Sequence, residues 1–143
     1  MMKSNRRHGA GLFFLLAAVL VMALIAYARG TVRVGGWSLR ANGQVARDFA
    51  FRGGCPVNLK FGWSVLGTEP TDVVYTFARS DGGHETHSQT LDLPQAGRSG
   101  FIYHDWRLGA NNREFADYRG WVELIVESPN RVSQRIDFTL HCQ

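Results

Sequence analysis

Cysteine and proline are both scarce in this chain. Its 143 residues include two cysteines and four prolines, and 20% are charged against 45% that are hydrophobic. This balance is typical of a globular protein and excludes a disordered tail. The length suits one domain of ordinary size and is too short for two. A thiolate metal centre is also not expected, because it needs several ligands at short spacing.

Excess positive charge is nearly absent outside the N-terminus. The chain has 16 Lys and Arg against 12 Asp and Glu, a formal net charge of +4. Lys3, Arg6 and Arg7 supply three of these charges, which leaves +1 for residues 29–143. The sequence pI near 9.5 therefore reflects the N-terminus. It gives no reason to expect a nucleic-acid partner.

Residues 9–28 contain no charged side chain, and residues 12–26 are apolar without interruption. A soluble amphipathic helix would show a polar stripe, and none is present here. The segment therefore predicts a signal or anchor helix that contacts the membrane through residues 9–28. Because the basic cluster precedes it, all later residues are expected outside the cytoplasm, in the periplasm or at the cell surface.

Cleavage of this helix is left open by the sequence. Ala26-Tyr27-Ala28 is a small-x-small site for signal peptidase, which would cut between Ala28 and Arg29. The apolar run, however, exceeds the roughly 7–15 residues of a signal h-region and approaches the roughly 20 that span a bilayer. The domain is either released or held by one N-terminal transmembrane helix. The expected divisions are a signal peptide or signal anchor (1–28), a tether leading into a first edge strand (29–40) and a folded domain (41–143).

Cys55 and Cys142 are 87 positions apart. An even cysteine count in an exported chain predicts a disulfide. Closing so long a loop should stabilise the fold by about 4–5 kcal/mol in the chain-entropy account.

Apolar and polar residues alternate along most of the chain beyond residue 40. The runs at 57–65 and 136–142 have the period of two that strands show, and turn residues such as Ser80-Asp81-Gly82-Gly83 separate such runs. No segment after residue 29 presents a convincing helical face. We therefore predict an all-β, antiparallel sandwich of about seven strands with one disulfide. The predicted core consists of Val57, Leu59, Phe61, Tyr75, Phe77, Ile102, Trp106, Leu124, Val126, Ile136, Phe138 and Leu140.

Six short motifs then follow one another in a familiar order. They are Cys55-Pro56-Val57-x-Leu59-x-Phe61, Val73-x-Tyr75-x-Phe77-x-Arg79-Ser80-Asp81-Gly82, Gln89-Thr90-Leu91, Trp106-x-Leu108-Gly109, Gly120-Trp121-x-x-Leu124-x-Val126-x-Ser128-Pro129-Asn130 and Phe138-x-Leu140-x-Cys142. Over residues 40–142 the chain resembles Ig-like β-sandwich domains of bacterial secreted and cell-envelope proteins. The resemblance implies an Ig-like fold outside the cytoplasm. It brings no catalytic residues, since fold alone does not fix function.

His84 and His87 flank Glu85 in the connection after the Asp81 turn. Two imidazoles and a carboxylate can bind Zn²⁺ or Cu²⁺, and His104 or His141 could supply a third nitrogen. Because the ligand set is incomplete, a solvated polar hairpin is the preferred interpretation. We therefore predict no metal and no other cofactor.

Catalytic motifs are missing from the sequence. No serine lies in a Gly-x-Ser-x-Gly elbow. Glu123 and Glu127 share one face of a predicted strand, where solvated charge accounts for them without glycosidase chemistry. We therefore predict that the protein is not an enzyme.

Two aromatic residues are candidates for ligand binding. Trp121 alternates with the apolar residues of its predicted strand, so that it faces outward, where it could stack on a sugar or cover a partner. Tyr118 precedes it, could cover it, and resembles the tyrosine corner that fixes one end of such sandwiches.

The resulting functional prediction is a non-catalytic, Ig-like module at the cell envelope that binds another protein. The loops at 81–87 and 108–119, or an edge strand, would contact that partner. The alternative prediction is an extracytoplasmic domain that binds carbohydrate through Trp121 or a metal through His84 and His87.

Overall fold

The computed structural model describes residues 30–109 and 117–143. Within these ranges there are nine strands and one 3₁₀ turn over Arg47–Phe49. No helix in the described part of the chain is long and apolar enough to cross a membrane. The predicted signal or anchor helix over residues 1–28 and most of the predicted loop at 108–119 lie outside the described residues. The strands are β1 (Val32–Ala41), β2 (Gln44–Val45), β3 (Ala50–Gly53), β4 (Val57–Gly67), β5 (Thr71–Arg79), β6 (Gln89–Leu93), β7 (Ser99–Leu108), β8 (Asp117–Ser128) and β9 (Val132–Cys142).

The strands form two sheets. One has the order β2-β1-β4-β7 and the other the order β3-β9-β8-β5-β6. All neighbours are antiparallel except β3 and β9, which are parallel. The predicted all-β class is confirmed, whereas the predicted number of about seven strands was too low and the parallel β3–β9 pair departs from the predicted antiparallel arrangement. The additional strands β2 and β3 have two and four residues, too few to leave a readable alternation.

Strand β1 occupies most of the segment for which the sequence predicted a tether. Its pairing with β4 shifts register between Val34 and Gly36, so that Gly35 forms a bulge. A bulge inserts one residue into a strand and breaks its period of two. The segment therefore lacks the alternation that would have identified it as a strand.

The apolar core lies between the two sheets. All twelve predicted core residues are buried, which confirms that prediction. Leu39 and Trp63 are among the further buried residues. The indole Nε1 of Trp63 donates a hydrogen bond to the carbonyl oxygen of Gln134 at 3.1 Å, so that the one polar group of this buried side chain has a partner.

The predicted disulfide is present between Cys55 and Cys142, with their Cα atoms 5.4 Å apart. It joins the loop before β4 to the end of β9 and thereby ties the two sheets together. Gly109 packs directly against this bridge. A Cβ at this position would lie 2.9 Å from the Cys55 sulfur and 3.0 Å from the Cys142 sulfur.

Candidate functional site

The outer face of the four-stranded sheet presents two large exposed rings. Phe101 and Tyr103 lie on β7 and are 59% and 53% exposed. They alternate with buried Ile102, so that the strand's period of two directs them away from the core. Neighbouring exposed rings of this size are a common sign of a binding surface.

Small side chains beside these rings leave an open trough. Residues Gly36 and Ser38 of β1 and Gly62 and Ser64 of β4 line it, together with the two rings, Arg40 and Lys60. We call this set the outer-face trough; its volume is about 610 Å³. It adjoins a second depression of about 420 Å³ that shares Gly36 and Ser64.

Gly62 allows the Tyr103 ring to lie close to the sheet. Its partner in the register is Tyr103 itself. A Cβ at Gly62 would be 3.0 Å from Tyr103 Cε1, which is tighter than ordinary van der Waals contact. The Tyr103 and Phe101 rings are stacked, with centroids 6.3 Å apart and planes inclined by 14°. The result is an aromatic surface of two nearly parallel rings.

Basic side chains surround this aromatic surface. Lys60 Nζ lies 5.3 Å from the centroid of the Tyr103 ring, and Arg40 is the register partner of Lys60. Register also places Arg33 and Arg107 on this face, opposite Leu66 and Asn58.

A single carboxylate opposes these four cations among the described strands of the sheet. Asp105 Oδ1 lies 3.9 Å from Lys60 Nζ, and both side chains are largely exposed. An exposed ion pair of this kind contributes little to stability. The face therefore keeps a positive surplus that favours an anionic ligand.

Trp37 borders the outer-face trough and is 47% exposed. Its register partner is the buried Trp63. Strand β2 pairs only with Arg40 and Ala41, which leaves the edge of β1 unpaired at Trp37 within the described residues. The exposed large hydrophobic residues of the described ranges all belong to the four-stranded sheet; they are Trp37, Val45, Phe101 and Tyr103.

The predicted ligand-binding residue Tyr118 contacts Ser80 and Trp106 within the fold. Its hydroxyl is 2.7 Å from Ser80 Oγ, and its ring packs edge-on to Trp106 with centroids 6.1 Å apart. Ser80 Oγ in turn accepts a hydrogen bond from the backbone N–H of Trp121 at 3.1 Å. Tyr118 thus ties the turn after β5 to the start of β8. Its predicted role in ligand binding stays a prediction.

Trp121 lies on the five-stranded sheet, whereas Phe101 and Tyr103 lie on the four-stranded sheet. It is half-buried, and the Arg135 guanidinium lies 5.0 Å from its ring centroid. It lines a depression of about 410 Å³. Ligand binding by Trp121 also stays a prediction.

The predicted metal candidates His84 and His87 are exposed and bonded locally. His84 Nδ1 is 3.2 Å from the carbonyl oxygen of Gly82, and His87 Nδ1 is 2.9 Å from Thr86 Oγ1. His141 contacts Asp117 instead. In residues 30–109 and 117–143, no three His, Cys, Asp or Glu side chains are grouped so as to hold a metal ion.

His104 is the exception to the apolar inner face of β7. It faces inward beside Phe61 in the register, and its ring centroid lies 4.7 Å from that of Phe77. Its Nε2 is buried without a hydrogen-bond partner among the described residues. Burial lowers the pKa of His104 below its ordinary value, while the Glu85 carboxylate acts in the opposite direction. Burial thus favours the neutral form of the ring.

The outer-face trough was not predicted from the sequence, although the sequence contains a signal for it. The alternation that places Ile102 in the core also places Phe101 and Tyr103 on the opposite face. Pairing of β4 with β7 and with β1 then adds the glycine and serine residues that keep the rings accessible, and these pairings cannot be predicted from the sequence pattern.

No protein-family model and no curated protein matches the chain. Among solved structures, the chain is similar to the alkylpurine DNA glycosylase AlkC of Pseudomonas fluorescens, bound to DNA that contains an abasic site analog. The identity is 18% and the TM-score 0.41. The match covers 78% of this chain and 30% of that chain, so this chain spans less than a third of the length of its neighbour.

Three predictions conflict with this neighbour. They are the non-catalytic envelope module that binds another protein, the absence of enzymatic activity, and the absence of a nucleic-acid partner; the neighbour is a DNA-bound enzyme. The membrane contact predicted through residues 9–28 is not shown, because that segment lies outside the described residues. At a TM-score of 0.41, the likeness assigns no activity to this chain.

Proposed function

We propose that the protein is a ligand-binding domain whose outer-face trough holds a ring-bearing anion. The observation that carries this proposal is the exposure of Phe101 and Tyr103 directly beside Lys60 and Arg40. Aromatic faces attract other planar or apolar ring surfaces, and the two cations supply attraction for negative charge.

The energetics favour a ligand that uses both features together. Stacking on one ring contributes about 0.5–1.5 kcal/mol beyond the area buried. Exposed cations alone bind anions weakly, because salt screens them over about 10 Å at 0.1 M. A ligand with rings and charges at neighbouring positions gains from both, and the trough offers them within one sheet face.

The proposal is tested by titrating the full chain with two labelled anionic polymers, oligothymidylate and heparin, and with neutral dextran. We expect at least one anionic polymer to bind and dextran not to bind. Phe101→Ala and Tyr103→Ala should each weaken binding about tenfold. Phe51→Leu, on strand β3 of the other sheet, is the control and should leave the affinity unchanged. Binding that is indifferent to Phe101 and Tyr103 would remove the trough from consideration.

We also propose that the domain is an Ig-like sandwich that resides outside the cytoplasm. The two packed sheets and the Cys55–Cys142 bridge support this, since disulfides persist in oxidising compartments. Protease added to intact cells or spheroplasts should then digest the domain. Complete protection under conditions that degrade a known exported protein would count against this location.

A further inference from the structure

We infer that the ring-bearing anion bound by the outer-face trough is a single-stranded nucleic acid. This inference rests on the proposed function and adds the class of ligand. It is carried by the length of the basic face, by the kinds of polar group that line the trough and by the accessible rings.

The basic face is long enough for a polymer. Arg107 and Arg33 lie opposite Asn58 and Leu66 of β4, near its two ends. At roughly 3.3 Å per residue, the part of β4 between these partners spans about 26 Å. Arg33 also lines the second depression, which continues the outer-face trough. A chain with repeated charge can contact cations at both ends and in the middle, whereas a mononucleotide cannot.

The polar groups of the outer-face trough are mostly hydrogen-bond donors. Arg40 and Lys60 donate only, and Ser38 and Ser64 hydroxyls donate or accept. A sugar polymer carries many hydroxyl groups, whose recognition needs side-chain acceptors as well as donors. Asp105 is the one carboxylate of this face in the described sheet, and it already pairs with Lys60. A phosphodiester backbone offers acceptors and negative charge, which is the complementary set.

The ring arrangement favours unpaired bases. Single-stranded nucleic acids are bound by aromatic side chains on which successive bases stack, beside a basic groove that follows the backbone. In a duplex each base face is covered by its neighbours and is not available to Phe101 and Tyr103. No Asn or Gln side chain lines the trough to read base edges. Little sequence preference is therefore expected.

The experiment measures fluorescence anisotropy of the full chain with a labelled 12-nucleotide oligothymidylate at several salt concentrations. Unlabelled 12-base-pair duplex and heparin serve as competitors. We expect the single strand to bind and to be displaced much less effectively by duplex. Tyr103→Ala should weaken binding about tenfold. Lys60→Ala should reduce the slope of log K against log salt by about 0.7.

Matched variants distinguish binding by the trough from general effects of charge and of misfolding on the measured affinity. Arg131→Ala removes an exposed cation outside the trough, and its salt slope should equal that of the unmodified chain. Ser38→Glu puts a negative charge into the trough at an exposed position and should also weaken binding. Circular dichroism of each variant verifies the fold. If Tyr103→Ala does not fold, Ser38→Glu answers the same question.

The outcomes distinguish the two proposals. Heparin binding that depends on Tyr103, without oligothymidylate binding, would overturn the nucleic-acid inference and leave the proposed function standing. Equal competition by duplex would overturn the preference for single strands. Absence of binding to both polymers, or binding unaffected by Tyr103→Ala and Ser38→Glu, would overturn both.

Discussion

The carboxylate of Glu85 lies 3.7 Å from Nδ1 of the inward-facing His104. Glu85 is held there by Gln89, whose amide donates a hydrogen bond to Glu85 Oε2 at 2.7 Å. Gln89 accepts a hydrogen bond in turn from the hydroxyl of Tyr75 at 3.0 Å. A series of polar contacts therefore runs from β5 through β6 and the loop before it to β7, and so connects the two sheets.

The position of His104 predicts that stability decreases in mild acid. Its pKa is lowered in the folded state, chiefly by burial, from an unfolded value near 6.5. Between those two values the unfolded chain binds more protons than the folded chain, so stability increases with pH. The free energy of unfolding should therefore fall as pH drops below about 6.5 and through the folded pKa. Urea unfolding at pH 7.5 and pH 5 measures this difference.

Other charges near His104 make a matched control necessary. Glu85, Asp105 and Asp81 favour the protonated ring, while Arg79 opposes it. His104→Gln removes the titrating ring, so that the difference in stability between the two pH values should become smaller. His87→Gln, at an exposed histidine, should retain the full difference. An unchanged pH dependence in His104→Gln would assign the effect to other groups.

The disulfide provides a second prediction. Replacing both Cys55 and Cys142 by serine should lower the free energy of unfolding by about 2–5 kcal/mol, because the unfolded chain is no longer constrained. Chemical denaturation of the variant and of the unmodified chain, the latter with and without reductant, measures the loss. Reduction of the unmodified chain should reproduce most of it. Equal stability of oxidised and reduced chains would show that the bridge contributes little.

Much of this fold was predictable because its pattern is local. The alternation around Phe61 and Phe138 identified core strands, and the cysteine count identified the bridge. Strand β1 was not recognised, since the bulge at Gly35 breaks its period and since Gly35 and Gly36 supply no side chains to follow. The outer-face trough depends on which strands are neighbours. Tyr103 and Gly62 are 41 positions apart in the sequence, and no local pattern specifies that they pair.

Gly109 and Gly43 have similar φ angles but different surroundings. Substituting each of them therefore separates the effect of steric contact on stability from the effect of backbone strain. Gly109 has φ of +83° and Gly43 has φ of +84°. A side chain at Gly109 would meet both disulfide sulfurs, whereas one at Gly43 would meet nothing within 4 Å. Gly43→Ala should lower stability by about 1 kcal/mol, the usual scale for such strain. Gly109→Ala should cost clearly more. Thermal unfolding of both variants measures the two losses of stability. Equal losses would mean that the disulfide shifts to accommodate the new side chain without destabilising the fold.

The last prediction compares the substitution of phenylalanine by alanine in the core and on the outer surface of the sandwich. Phe77 is 2% exposed and packs against Trp63, with ring centroids 5.5 Å apart. Phe77→Ala removes a buried ring and leaves a cavity, which should lower the free energy of unfolding by about 3–5 kcal/mol. Phe101→Ala removes an exposed ring, and its effect on stability should stay within about 0.5 kcal/mol. The same Phe101 variant should weaken ligand binding. Since the fold is expected to be retained, that loss of binding can be assigned to the outer-face trough. A loss below about 1 kcal/mol for Phe77→Ala would contradict its place in the core, and a large loss for Phe101→Ala would show that its ring supports the sheet.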